Sequence, residues 1–229
     1  MVNESLRIDG GGPGLQALLA RAVGLDATAS ARLRQIDEQG VDVFVTTPFE
    51  VVASRRVRGQ ASRDGAVVSA QATLGALQEN SALEDAAEGE KDSGAPIPVT
   101  LDLGPARDPS WPGALPPAQG FEQIDIVPVD VVRQLADQGQ ALARQFSGPL
   151  GPPASLLNQT VITVTNEDSG ASADVPMRVI FACTSLGLIP RFSAPLDIPR
   201  HLRVARRGRW LRVDAPFGTI YRSSGLSLF

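Results

Sequence analysis

The strongest constraint on this chain is a gapless similarity between its early part and its end. Gly40-Val41-Asp42-Val43-Phe44-Val45-Thr46-Thr47-Pro48-Phe49-Glu50-Val51-Val52 lies over Gly208-Arg209-Trp210-Leu211-Arg212-Val213-Asp214-Ala215-Pro216-Phe217-Gly218-Thr219-Ile220. Gly40 matches Gly208, Val45 matches Val213 and Pro48-Phe49 matches Pro216-Phe217, with Val43/Leu211 and Val52/Ile220 alike. The matches fall at turn and core positions. Two related units that each leave an apolar face uncovered can bury those faces against one another or in one shared sheet. The repeat bears on architecture and names no reaction.

Period two governs the first copy: Val41, Val43 and Val45 alternate with Asp42, Phe44 and Thr46, the pattern of a strand. Thr47-Pro48-Phe49-Glu50 by itself fits a helix start with proline at the first position. The second copy decides against that, because Ala215-Pro216-Phe217-Gly218 puts proline and glycine at turn positions and leads into the β-favouring Thr219-Ile220-Tyr221. Both copies therefore read as strand, turn, strand. Asp64-Gly65 adds a hairpin signal from the first copy's second strand to a third near residues 66–72.

Asp9-Gly10-Gly11-Gly12-Pro13-Gly14 reads as flexible, and with no strand before it the run makes a poor phosphate loop. Leu15, Leu18, Leu19, Ala22 and Val23 then recur at helical spacing up to Gly24, giving a helix over 14–23. A second short helix is expected from an Asp26 or Thr28 cap through Leu33 and Ile36. Residues 76–120 run from an acid-rich stretch (Glu79, Glu84, Asp85, Glu88, Glu90, Asp92) into one with seven prolines, Pro96 to Pro117. This region reads as a linker, disordered where acidic and extended across the surface where proline-rich, with Trp111 as its anchor.

Val132, Leu135, Gly139, Leu142 and Phe146 alternate spacings of three and four ahead of Ser147-Gly148-Pro149, which marks a long helix over 129–146. Glycine inside a helix costs about 1 kcal/mol against alanine, so another element is expected to approach the backbone at Gly139. Strands follow at 160–165, 175–182, 201–205, 209–214 and 219–222. About eight strands and three or four helices, with the strands grouped, give an α+β fold of two related hairpin or meander units with flanking helices. The expected organisation is a flexible leader over 1–13, an N-terminal half over 14–75, the linker over 76–120 and a C-terminal half over 121–229.

The 229 residues are 43% hydrophobic and 20% charged, ordinary for a globular protein. No stretch approaches the roughly 18 consecutive apolar residues of a membrane helix, and the first residues lack a basic and then apolar leader, so the reading is a cytoplasmic protein without membrane partners. Lys91 is the only lysine. That skew matches a high-GC coding bias and lowers the weight of arginine abundance as a sign of phosphate recognition.

Catalytic chemistry finds little support. His201, the one histidine, lies among arginines that disfavour its protonated form, and Cys183, the one cysteine, sits in the apolar run Val179-Ile180-Phe181-Ala182-Cys183. Ser185 lacks the glycine that a nucleophile elbow places two positions earlier. One histidine and one cysteine do not make an ordinary zinc site, the carboxylate pairs Asp37/Glu38 and Asp125/Asp130 sit in polar turns, and no nucleotide fingerprint occurs. No cofactor, metal or catalytic residue is expected.

The feature with binding chemistry is Arg200 to Arg212. As a hairpin turning at Arg207-Gly208 it would have an apolar face of Leu202, Val204, Leu211 and Val213. The opposite face would carry Arg203, Ala205, Arg209 and their cross-strand neighbours, with Trp210 on the exposed side, and the candidate binding residues are Arg203, Arg206, Arg207, Arg209, Trp210 and Arg212. Such a face can stack a base and neutralise phosphates, or it can be a solvated surface whose arginines pair with Asp214 or the acidic run. The leading expectation is a non-enzymatic protein-interaction protein that binds through a sheet face or the proline-rich segment, in an oligomeric state the sequence leaves open. Nucleic-acid binding through residues 200–212 is the alternative, and an enzyme without a histidine, cysteine or metal centre comes third.

Overall fold

The computed structural model describes residues 3–87, 98–146 and 152–224. They fall into two compact units, Met1–Thr47 with Ser54–Ala114 and Pro48–Ala53 with Leu115–Phe229.

The first unit runs β1 (Asn3–Gly10), α1 (Gly12–Leu25), β2 (Ser30–Gln35), β3 (Gly40–Thr46), β4 (Val52–Ala61), β5 (Val67–Ser69), α2 (Ala70–Ala87) and β6 (Val99–Pro105). Its strands lie in the order β5-β2-β3-β4-β1-β6. Alternation sets the faces of this sheet: Ala31 and Leu33 of β2 are fully buried, while Arg32 and Arg34 point to the other side. Leu15, Leu18, Leu19 and Ala22 form the buried stripe of α1, at the i, i+3, i+4, i+7 spacing of an amphipathic helix.

The second unit runs β7 (Glu122–Pro128), α3 (Val129–Phe146), α4 (Ala154–Asn158), β8 (Thr160–Thr165), β9 (Ser172–Pro176), α5 (Met177–Ser185), β10 (His201–Arg207), β11 (Trp210–Ala215) and β12 (Gly218–Ser223). The order β12-β11-β10-β7 forms its main sheet, and β8 and β9 make a separate hairpin. The two repeat copies are strand, turn, strand as expected: β3 into β4 through Pro48, and β11 into β12 through Pro216. The architecture is α+β with repeated units.

The long helix α3 has the bounds that its sequence implies, but its buried stripe is turned by one position. Val132, Ala136, Gly139 and Ala143 face inward, while Leu142 is exposed. Small residues win the inward positions because α5 packs so closely. A Cβ on Gly139 would stand 2.7 Å from Met177 Sδ and 2.9 Å from Phe181 Cζ.

Several expectations are corrected. The region read as a leader carries β1, whose Leu6 and Ile8 are buried between β4 and β6. The second short helix is instead β2, since Ala31 and Leu33 alternate with Arg32 and Arg34. Asp64-Gly65 does form a turn, but β5 pairs with β2 rather than β4 and gives way at Ala70 to a helix capped by Ser69 Oγ on the Ala72 N–H. Residues 177–182 are helical, because Met177 through Cys183 are all buried and an all-apolar run has no period to separate helix from strand. The segment read as a linker contains the rest of α2 and the whole of β6, while residues 88–97 lie outside the described residues. Trp111 is buried as expected of an anchor. Arg63 and then the Val67 N–H donate to Asp108 and hold its carboxyl below the usual carboxylate range, tying that segment to β5.

Gly139→Leu is expected to destabilise the protein by about 3 kcal/mol through overpacking against Met177 and Phe181, despite leucine's better helix propensity. Urea denaturation followed by circular dichroism reads this directly. A stabilised variant would contradict the close α3–α5 contact.

Candidate interaction surface

The arginine-rich hairpin forms, with its two-residue turn at Gly208-Arg209, one position later than expected; Gly208 has φ +53°. Arg207 pairs with Trp210, Ala205 with Arg212 and Arg203 with Asp214. The inward face is apolar as anticipated, with Leu202, Val204, Leu211 and Val213 all buried.

The outward face differs. Trp210, expected to be exposed, keeps 9% of its surface accessible, and residues 119–121 of the same unit lie beside its neighbours Arg207 and Arg212. Arg207 donates to the Gln119 carbonyl. Phe121 sits 4.7 Å from the Arg212 guanidinium and edge-on to Tyr221, and Arg212 also pairs with Asp214 at 3.1 Å. Arg206, paired with Leu211, projects on the side of Leu202 and Val204 rather than with Arg203 and Arg207, and donates to the Ser172 carbonyl at 2.9 Å; Arg209 lies 6.0 Å from the Trp210 ring centroid. Arg203 is exposed beside Ile126 of β7. Most of these guanidinium groups therefore serve packing or internal hydrogen bonds, and no flat stacking platform is left.

Sequence reasoning missed a second feature, the loop between α5 and β10. The Ala194 N–H donates to the Arg191 carbonyl and the Ile198 N–H to the Pro195 carbonyl, which makes two successive turns. The Arg200 guanidinium donates to the Arg191 carbonyl at 2.9 Å and to the Ala194 carbonyl at 2.8 Å, while the Val129 N–H fixes the Arg200 carbonyl. The residue after the first position of each turn faces solvent: Phe192 is 79% exposed and Leu196 95% exposed. Arg133 of α3 lies 4.3 Å from the Phe192 ring centroid and supports it by a cation–π contact. The available signal was Arg-Phe-Ser-Ala-Pro-Leu-Asp-Ile-Pro-Arg (191–200), apolar residues set between turn formers.

A buried cation lies elsewhere in this unit. Arg178 is 3% exposed and donates to the Glu50 carboxylate at 2.5 Å, the Phe49 carbonyl at 2.9 Å and Asn158 Oδ1 at 2.6 Å. Glu50 is the one non-glycine residue with positive φ among the described residues, at +54°. Burial pushes the Cys183 thiol up to about 12, so it stays protonated and inert. His201 is exposed. Among the described residues no group of three or more histidine, cysteine, aspartate or glutamate side chains is arranged to hold a metal, and no helix is long and apolar enough to cross a membrane.

Residues 3–113 match a domain of unknown function, DUF8010, and residues 116–227 match another, DUF8185. No curated protein matches the chain. Solved structures do. A putative DNA polymerase III beta subunit from Eubacterium rectale shares 9% identity over 99% of this chain and 66% of its own, with a TM-score of 0.54. The DNA polymerase sliding clamp from Bacillus subtilis shares 10% identity over 100% of this chain and 66% of its own, with a TM-score of 0.53.

The chain has a sliding-clamp-like fold. It spans 66% of the length of those structures, and at such identities the likeness is one of fold alone.

Glu50→Gln removes the charge partner of a buried guanidinium, but the Glu50 side chain is itself 72% exposed, so the expected cost is about 1 kcal/mol. Thermal melting of the variant measures the loss. An unchanged melting temperature would mean that the Asn158 and Phe49 acceptors suffice.

Proposed function

We propose that this chain is a non-enzymatic cytoplasmic protein that binds a protein partner, with the Phe192–Leu196 loop as the contact. The observation that carries this reading is the loop itself: two turns and three hydrogen bonds around Arg200 hold two large apolar side chains in water. Apolar side chains fixed in this way resemble the anchors that dominate protein interfaces. The likeness to DNA polymerase sliding clamps supports a scaffold over an enzyme.

Nucleic-acid binding is the second reading. It rests on Arg203, Arg206, Arg207 and Arg209, which are all exposed around the end of one hairpin, where spare donors can still meet phosphates.

Cross-linking in lysate followed by mass spectrometry tests the first reading, with Phe192→Ser/Leu196→Ser as the comparison. The expected result is a protein cross-linked near residues 187–200 and a loss of at least 30-fold in that species in the variant, as about 2 kcal/mol or more from a buried anchor implies. Both proteins should keep the same circular dichroism spectrum. Cross-links that persist in the folded variant would overturn the loop as the contact.

A further inference from the structure

We propose a binding groove for a small zwitterion on the first unit, independent of the reading above. The groove encloses about 400 Å³ and is lined by Arg7, Asp9, Glu38, Gln39, Arg58 and Gln60. Alternation along β1 and β4 turns Arg7, Asp9, Arg58 and Gln60 outward, while Leu6, Ile8, Val57 and Gly59 face in.

Gly59 brings the walls together. A Cβ there would come within 1.8 Å of the Arg7 carbonyl, so only glycine permits this approach of β1 to β4. Its N–H donates to the Gln39 carbonyl at 2.7 Å, and Gln60 Nε2 donates to the Glu38 carbonyl at 3.0 Å. The β2–β3 turn is thereby pinned over β4 as the second wall.

Each wall carries one charge, Arg58 on the first and Glu38 on the second, that no ion pair among the described residues neutralises. On one side, Arg7 donates to both carboxylate oxygens of Asp9, at 2.9 and 3.1 Å, which uses that acid up. Arg58 lies against Gly10, whose absent Cβ would meet its guanidinium at 2.7 Å, and reaches the Asp9 carbonyl through one nitrogen at 3.3 Å. Among the described residues no carboxylate pairs with Arg58. On the facing wall, the Glu38 carboxylate has no hydrogen bond or ion pair among the described residues, and the Gln39 amide stands beside it.

A guanidinium and a carboxylate without charge partners among the described residues, on residues that line one groove, fit a molecule with a carboxylate at one end and an ammonium at the other. The amides of Gln39 and Gln60 supply neutral donors and acceptors between the two ends. A lining made of charged and amide residues disfavours an apolar ligand. The chemical class is a small amino acid or ω-amino acid, its carboxylate on Arg58 and its ammonium on Glu38.

The test is ¹⁵N NMR titration of the full chain with glycine, γ-aminobutyrate and lysine, with acetate and methylamine as half-ligands. The expected result is a saturable shift of the Gly59 and Gln60 amides with at least one zwitterion, with each half-ligand at least tenfold weaker. Arg58→Gln and Glu38→Gln should each weaken binding about tenfold or more, as loss of one charge-assisted contact implies. Neither residue is buried, so both variants are expected to fold, and their amide spectra verify it. No shift with any zwitterion, or shifts that survive in both variants, would overturn the proposal.

Discussion

The structure depends on how the outward faces of its sheets are covered. A sheet with helices on one side still presents a second face, and in this chain arginine and aromatic side chains share the task of covering it. In the first unit Arg34 lies 4.8 Å from the ring of Phe44, which is fully buried, and Arg32 lies 5.8 Å from the Trp111 ring centroid. In the second, Phe121 covers Arg212 and Arg209 lies by Trp210. Each such contact is worth about 0.5–2 kcal/mol, and the long arginine stem adds apolar area. With a single lysine in the chain, arginine is the cation available for this use.

The same constraint bears on function. A guanidinium stacked on a ring, or donating to a carbonyl, offers fewer donors to a phosphate. The hairpin that looks like a phosphate-binding face in sequence is partly spent on its own unit, and Trp210 no longer presents a ring for stacking. In the loop between α5 and β10 it is apolar surface, that of Phe192 and Leu196, that meets water.

Much of the fold was legible because the repeat compared two copies of one unit. The glycine at the turn of Ala215-Pro216-Phe217-Gly218 resolved the ambiguity of Thr47-Pro48-Phe49-Glu50, which alone resembles a helix start. Gly139 was legible as a close approach because glycine inside a helix needs a reason, and Met177 and Phe181 supply it. Met177 to Cys183 was not legible as a helix, since burial on all sides erases periodicity. The strand β1 was hidden by the glycines that follow it, although Leu6 and Ile8 already alternate with Ser5 and Arg7. The site was less legible than the fold: the partners of Arg207 and Arg212 are Gln119 and Phe121, about 90 positions earlier, and no local pattern announces them.

Most of the hairpin guanidinium groups serve packing or internal hydrogen bonds, which leaves few donors for a phosphate. Fluorescence anisotropy of labelled single- and double-stranded DNA with the full chain, at low and at physiological salt, tests this most directly. The expected result is no saturable binding at physiological salt, and at low salt only weak binding unchanged by Arg203→Ala. Tight binding that falls steeply with salt and is lost in Arg203→Ala would contradict it and establish the hairpin as a phosphate-binding face.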